Sequence, residues 1–278
     1  MNARCSSICY EIKQRLFTMR SLTAIIMMFF LFHIWVKPVC SLADSFEGNM
    51  NVAMLFFLQN DPIFSKTILL CVLYFYSNVP FADANQMYVI ARTGKKRWGI
   101  HNFIYLGCSA AILSVCMVVL QWLVLGKSAV WSNTWTVLCK NMAVTELSQQ
   151  TSIPISYALM KSFTPYAALL YTILIDWMVF FLLGQVLYLG SIKGKNLLAY
   201  LIDVVLIFLP SVLMKMETKL VFLSPISGFQ SYNWRIQYDS YRPDLPYIIM
   251  ALMLLIVALG MLGQKWMEKY EIIVREEG

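Results

Sequence analysis

Two aspartates stand where carboxylates are costly. Asp176 lies within Ile-Leu-Ile-Asp-Trp-Met-Val-Phe and Asp203 within Tyr-Leu-Ile-Asp-Val-Val-Leu-Ile. An ionisable side chain at the centre of an apolar helix costs roughly 2.5–3.5 kcal/mol to place in a bilayer. Each is therefore a candidate polar contact in a translocation path, against the plainer reading of a hydrogen bond to a neighbouring helix. Asp176 is ten residues past Tyr166 and falls near the middle of its run; Asp203, eight residues past Lys195, lies closer to an end. Other chemistry is scarce. His33 and His101 are the only histidines and no His-Glu-x-x-His occurs, so a zinc protease site is excluded. Gly126-Lys127-Ser128 has Gln121 where a phosphate-binding loop needs glycine, and Gly190–Lys195 also lacks that spacing. Neither paired carboxylates, a Ser/His pair nor a metal cluster appears at working spacing. No metal or cofactor is expected on this chain.

The seven cysteines divide by setting. Cys71, Cys108 and Cys116 sit in apolar runs and read as small hydrophobes. Cys5 and Cys9 have no histidine nearby, which makes a weak metal site. Cys40 and Cys139 alone fall in segments placed outside, the one pair for which a disulfide is conceivable.

The elements that must position the aspartates follow from composition. Of 278 residues, 59% are hydrophobic and 13% charged, against about 45–50% and about 25% in soluble domains. This excludes a soluble enzyme, a disordered chain and a secreted disulfide scaffold. A bilayer core of about 30 Å needs about 20 apolar residues per helix. The candidate spans are 21–36, 63–80, 102–125, 166–189, 197–213 and 245–263. Lys66 falls near the start of the second and is able to snorkel towards the interface. Val52–Leu58 is too short to span and reads as an interfacial or re-entrant element; Asp61-Pro62 separates it from the second span, because proline holds the preceding residue extended. The fold class is thus all-α integral membrane, one domain over 1–278, with six transmembrane helices and no signal peptide.

Orientation follows the basic residues. The segments 1–20, 81–97, 190–196 and 265–278 hold 13 Lys and Arg in 58 positions, and the alternating segments 37–66, 126–166 and 214–244 hold 9 in 102. The denser set faces the cytoplasm, with both termini. Trp35 and Trp131 then fall near the outer interface, Trp98 and Trp266 near the inner one. The net charge of +7 is spent on these flanks, and nucleic-acid binding is not expected.

Two cytoplasmic segments have helical signatures. In residues 1–20, Ile12, Leu16 and Met19 recur at helical spacing among Lys13, Arg15 and Arg20, as in an amphipathic interfacial helix. In Pro80–Trp98, Asp83 is a good N-cap and Gln86 completes a capping box. Gly94 is placed as a left-handed terminator, with Lys95, Lys96 and Arg97 at the negative end of the dipole. The helix over 83–94 offers Met87 and Tyr88 as apolar surface and Arg92 as a cation. The bland reading is a basic inner loop; the functional one is a rigid lever.

A second span ending in Pro80-Phe81, a capped helix, then Arg92-x-Gly94-Lys95-Lys96-Arg97-Trp98 into the third span, resembles bacterial ABC-2 type transporter permeases. The layout of spans and the interfacial helix are similar to that family throughout the chain, and the partly apolar stretch within 214–244 (Leu-Val-Phe-Leu-Ser-Pro-Ile-Ser-Gly-Phe) is like its re-entrant element; the long 126–166 segment departs from its compact members. The resemblance implies a permease subunit of an ABC exporter in the bacterial inner membrane, and a coupling helix made of Asp83, Gln86, Met87, Tyr88, Arg92, Gly94, Lys95 and Arg97. It implies a separate ATPase subunit, in two copies, that binds ATP and Mg, and a second permease copy or related permease. A non-catalytic membrane scaffold or immunity protein and a membrane-embedded enzyme are the alternatives.

Overall fold

The computed structural model describes residues 18–78, 90, 94–145, 151, 153–216, 218–235 and 242–268. Most of the interfacial helix over 1–20, and Asp83, Gln86, Met87, Tyr88 and Arg92 of the helix over 83–94, lie outside the described residues.

The long helices are α1 (Met19–Ser45), α3 (Pro62–Phe75), α4 (Lys95–Leu125), α7 (Pro165–Ile192), α8 (Asn196–Met216) and α9 (Leu245–Glu268); the short ones are α2 (Leu55–Leu58), α5 (Val137–Val144) and α6 (Tyr157–Ser162). Among the described residues, α1, α4, α7, α8 and α9 are long and apolar enough to cross a membrane. The broken pair Val52–Leu58 and Pro62–Phe75, bent by 101°, makes a sixth crossing if counted as one. The fold is all-α and its helices are those of a multi-pass membrane protein.

α7 is the hub. It packs against α4, α8 and α9, and its second half is buried nearly all round, from Met178 through Leu183. α1, α8 and α9 instead expose Phe30, Ile34, Val205, Leu254 and Met261. A helix buried all round belongs to a core, and one with an exposed apolar face needs an apolar surround.

One end of the bundle is closed by short elements and is called here the cap end. There Met50 pairs with Ala129 and Asn51 with Val130 in a two-residue parallel ladder, and Asn51 Nδ2 donates to the carbonyl of Ser132 at 2.8 Å. The other, basic end holds Arg20, the start of α4, and Lys193 and Lys195 between α7 and α8.

Several local features differ from the sequence expectation. α1 extends nine residues beyond 36 and runs through Pro38. Val39 and Ala43 are buried on the same stripe as Val36, so packing holds the helix where one backbone bond is missing. Lys95, Lys96 and Arg97 do not close a preceding helix; they are the first turn of α4, next to the positive end of its dipole. Gly94 does have positive φ (82°), and its N–H donates to the carbonyl of Ile90 at 2.8 Å, a terminator's bond. Gly94 is also the residue directly before α4, so the basic triplet belongs to that helix. Cys40 and Cys139 are free thiols: Cys139 lies 3.7 Å from Met50 Sδ and Cys40 faces the carbonyl of Val124.

Candidate functional site: a buried polar layer at the break in the helices

The break at α2–α3 is encoded locally. Asp61 is extended (ψ 122°) and its Oδ1 accepts from the backbone of Ile63 at 2.9 Å and Phe64 at 2.7 Å, with Pro62 at the first helical position. The turn before it, Gln59-Asn60, is buried to 3% and 2% exposure. Non-helical backbone is tolerated within an apolar bundle only where it is enclosed by protein or lines a cavity. Its polar groups must therefore find partners inside.

They find two. Gln59 Nε2 donates to both carboxylate oxygens of Asp176, at 3.0 and 2.8 Å. Asp176 is fully buried on α7, about 16 Å of helix from Pro165 and about 24 Å from Ile192. The other partner is a second irregular stretch, the 3-10 turns Thr218–Leu223, Pro225–Phe229 and Ser231–Asn233. Asn60 Oδ1 accepts from the Ser231 hydroxyl and the Tyr232 backbone, each at 3.0 Å. Ser231 Oγ also lies 2.9 Å from the carbonyl of Phe56. Gln230 Nε2 donates to Ser65 Oγ at 2.8 Å, and the Tyr232 hydroxyl to Gln230 Oε1 at 3.0 Å.

Rings seal this layer from the cap end. Phe56 packs edge-on to Trp234 at 5.3 Å and to Phe163 at 5.9 Å between centroids, and Phe57 lies 5.2 Å from Trp135. The indole N–H groups are used as well: Trp234 donates to the carbonyl of Gly228 at 2.8 Å and Trp135 to that of Phe163 at 2.9 Å. Gly228 is obligatory, since a β-carbon there would come within 2.3 Å of Ile248 Cγ2. The stretch anticipated as re-entrant is thus a plug held by named hydrogen bonds.

Asp203 is placed differently. It faces inward from α8 one turn after Ala199, and both carboxylate oxygens have no hydrogen-bond partner among the described residues. Ala199 in turn packs on Gly190 of α7, where an added β-carbon would lie 2.2 Å from Ala199 Cβ. The structure does not join Asp203 to Asp176 in one site. Gln185, also buried on α7, has neither amide atom partnered among the described residues and lines a small cavity with Phe103, Gly260 and Gln264.

The sequence reading singled out the aspartates and missed Gln59, Asn60, Gln230 and Ser231. The available signal was polar amides and hydroxyls interrupting apolar stretches, at Gln59-Asn60-Asp61 and Gln230-Ser231. Among the described residues no three His, Cys, Asp or Glu gather as metal ligands. The arrangement offers hydrogen bonding and a single carboxylate at a point where two helices are interrupted. No protein family, no curated protein and no solved structure matches the chain.

Proposed function

We propose that the chain is a permease subunit of an ATP-driven ABC exporter, with six spans and both termini in the cytoplasm of a bacterial cell. The supporting observation is the buried polar layer, where the break at Gln59–Asp61 meets the plug at Gly228–Ser231 against Asp176. Transport proteins place interrupted helices and irregular backbone where a path must open and close. A lone carboxylate bound by a neutral amide gives such a layer one polar contact to make and break.

In this reading ATP and Mg are bound by a separate ATPase chain, and a second permease copy or related subunit completes the path. The helix over 83–94 is the docking element, with Tyr88 and Met87 as its apolar surface. Its neighbour α4 starts at Lys95, directly after Gly94, so a push on the docking element is delivered to the end of a 31-residue helix. The test is purification from native membranes with identification of retained chains that contain a phosphate-binding loop. Wild type should retain such a chain together with ATP hydrolysis, and Tyr88→Asp should lose both. An unchanged complex in Tyr88→Asp removes the docking helix, and the absence of any such ATPase removes the permease reading. Labelling of Lys140→Cys from the cytoplasmic side alone overturns the orientation.

A membrane scaffold or immunity protein is the second reading. It is favoured by the bonding of Asp176 to Gln59 within one chain, which a static protein needs as much as a gated one.

A further inference from the structure

Two glutamines on facing helices hold amide atoms that are buried and unbonded among the described residues. Gln185 lies on α7, seven residues or about 10 Å of helix from the basic end at Ile192, and is 1% exposed. Neither its Oε1 nor its Nε2 has a hydrogen-bond partner among those residues. Gln264 on α9 likewise keeps its Oε1 buried and without a partner there. A buried polar group left unbonded costs free energy, and within an apolar bundle no bulk water reaches it to make up the bond.

Both side chains line one small cavity between α4, α7 and α9. Its other walls are Phe103, Tyr188, Leu189, Leu259, Gly260 and Gly263. The cavity is narrow because α9 comes close: a β-carbon at Gly260 would lie 2.7 Å from the Phe103 ring. The room left for the centre of a water molecule is about 10 Å³, enough for one water and for no larger ligand. The polar groups converge there. Gln264 Oε1 and the Tyr188 hydroxyl both face Gly99 of α4, at 3.6 and 3.4 Å from where its β-carbon would stand.

We propose that this cavity is a binding site for a single water molecule, which ties α7 to α9 through Gln185 and Gln264. The size admits a water or a bare monatomic ion, and the chemistry of the walls decides between them. The unbonded atoms are one donor, Gln185 Nε2, and two acceptors, Gln185 Oε1 and Gln264 Oε1. A cation leaves the N–H without an acceptor, and an anion leaves both oxygens without donors. Water accepts and donates, and bonds to otherwise unsatisfied groups are what hold internal water in place. The bridge gives α9, which exposes Leu254 and Met261, a polar attachment to the hub helix. The site requires only that α4, α7 and α9 pack together, and stands whether or not the chain is a permease.

A pulse of X-rays turns bound water into hydroxyl radicals, which oxidise the side chains touching it and spare buried side chains with no water beside them. The full chain in detergent is irradiated and digested. Oxidation is then read by mass spectrometry at Tyr188, which lines the cavity, and at Tyr76, a buried tyrosine that does not. Wild type should oxidise Tyr188 several-fold more than Tyr76. Gln185→Leu removes the donor and one acceptor and should bring Tyr188 down to the level of Tyr76. Gln264→Leu removes the other acceptor at a partly exposed position, should lower Tyr188 as well, and tests the site should Gln185→Leu not accumulate. Ser114→Ala, which removes a buried hydroxyl of α4 away from the cavity, should change nothing. Equal oxidation of Tyr188 and Tyr76 in wild type overturns the proposal, and so does undiminished oxidation of Tyr188 in either glutamine variant.

Discussion

Asp176 and Asp203 are both fully buried aspartates on adjacent apolar helices, yet among the described residues one is bonded and the other is not. Asp176 belongs to a layer in which Gln59 bonds to it, Asn60 to Ser231 and Gln230 to Ser65, although Asn60 Nδ2 has no partner among the described residues. Asp203 belongs to a helix–helix seam closed by small residues, Gly190 against Ala199, where no described residue hydrogen-bonds to it. The first placement is required by the fold, because the interrupted backbone brings polar groups inside that must be satisfied. The second is not, because neither carboxylate oxygen of Asp203 bonds to any group of α7 or α8 among the described residues. Asp203 is thus held for no reason the described fold supplies, whereas Asp176 serves the fold and, in the proposed reading, the path as well.

The largest expected effect tests the bonded acid. Asp176→Leu leaves the Gln59 amide buried without an acceptor. Leaving a buried donor without its acceptor costs about 1–3 kcal/mol, on top of the lost bond. Unfolding in detergent should show a destabilisation of about 2–3 kcal/mol. Gln59→Leu should show a similar loss, and the double variant should lose much less than the two together. Additive losses would mean that the two side chains act separately.

The seam comes next. Gly190→Ala places a methyl group against Ala199 Cβ, which has no rotamer to escape into. Forced overpacking costs about 1–3 kcal/mol. Gly228→Ala meets Ile248 Cγ2 at 2.3 Å and should behave likewise at the other region. Only the second is expected to be rescued by Ile248→Ala, since that deletion removes the clashing methyl group. Wild-type unfolding of Gly190→Ala would show that α7 and α8 are not held at this distance.

How far the sequence carried this picture depends on the range of the interaction. The break at Asp61-Pro62 was readable because a capping side chain and a proline act within three residues. The apolar helices were readable from run length, although α1 outran its expected end because Val39 and Ala43 have packing partners that no local rule anticipates. Asp176 was conspicuous as a charge in an apolar run. Its partner was not, because Gln59 lies 117 residues away, in a segment judged by its apolar neighbours. The same holds for Ser231 and Asn60, separated by 171 residues.

A smaller effect of opposite sign is expected at the unbonded acid. Asp203→Leu removes a buried polar group that has no partner among the described residues, and replaces it with a side chain suited to the seam. From the penalty of about 1–3 kcal/mol for an unsatisfied buried group, unfolding should show a gain of about 1 kcal/mol once the imperfect fit is allowed for. Loss of function together with that gain would give Asp203 a working role held against stability. A destabilised Asp203→Leu would mean that the carboxyl group has a bonded partner after all, and the contrast with Asp176 would collapse.

The last prediction changes reactivity and not stability. Cys139 lies on α5 at the cap end, fully buried against Met50. Burial pushes its thiol above the ordinary value, and the bond from Thr136 offsets only part of that. Thiolate is the form that reacts, so a raised pKa lowers the reactive fraction at any given pH. In a chain keeping Cys139 as its only cysteine, maleimide at neutral pH should leave the folded protein unlabelled and modify it on unfolding. Val137→Cys, placed two residues away on an exposed position of the same helix, should label freely and follow an ordinary thiol titration near about pH 8.5. The two positions share a helix, a solvent and a distance from the bundle, so the difference between them isolates burial. Equal labelling of both in the folded chain would show that the cap end opens around Cys139 and Met50.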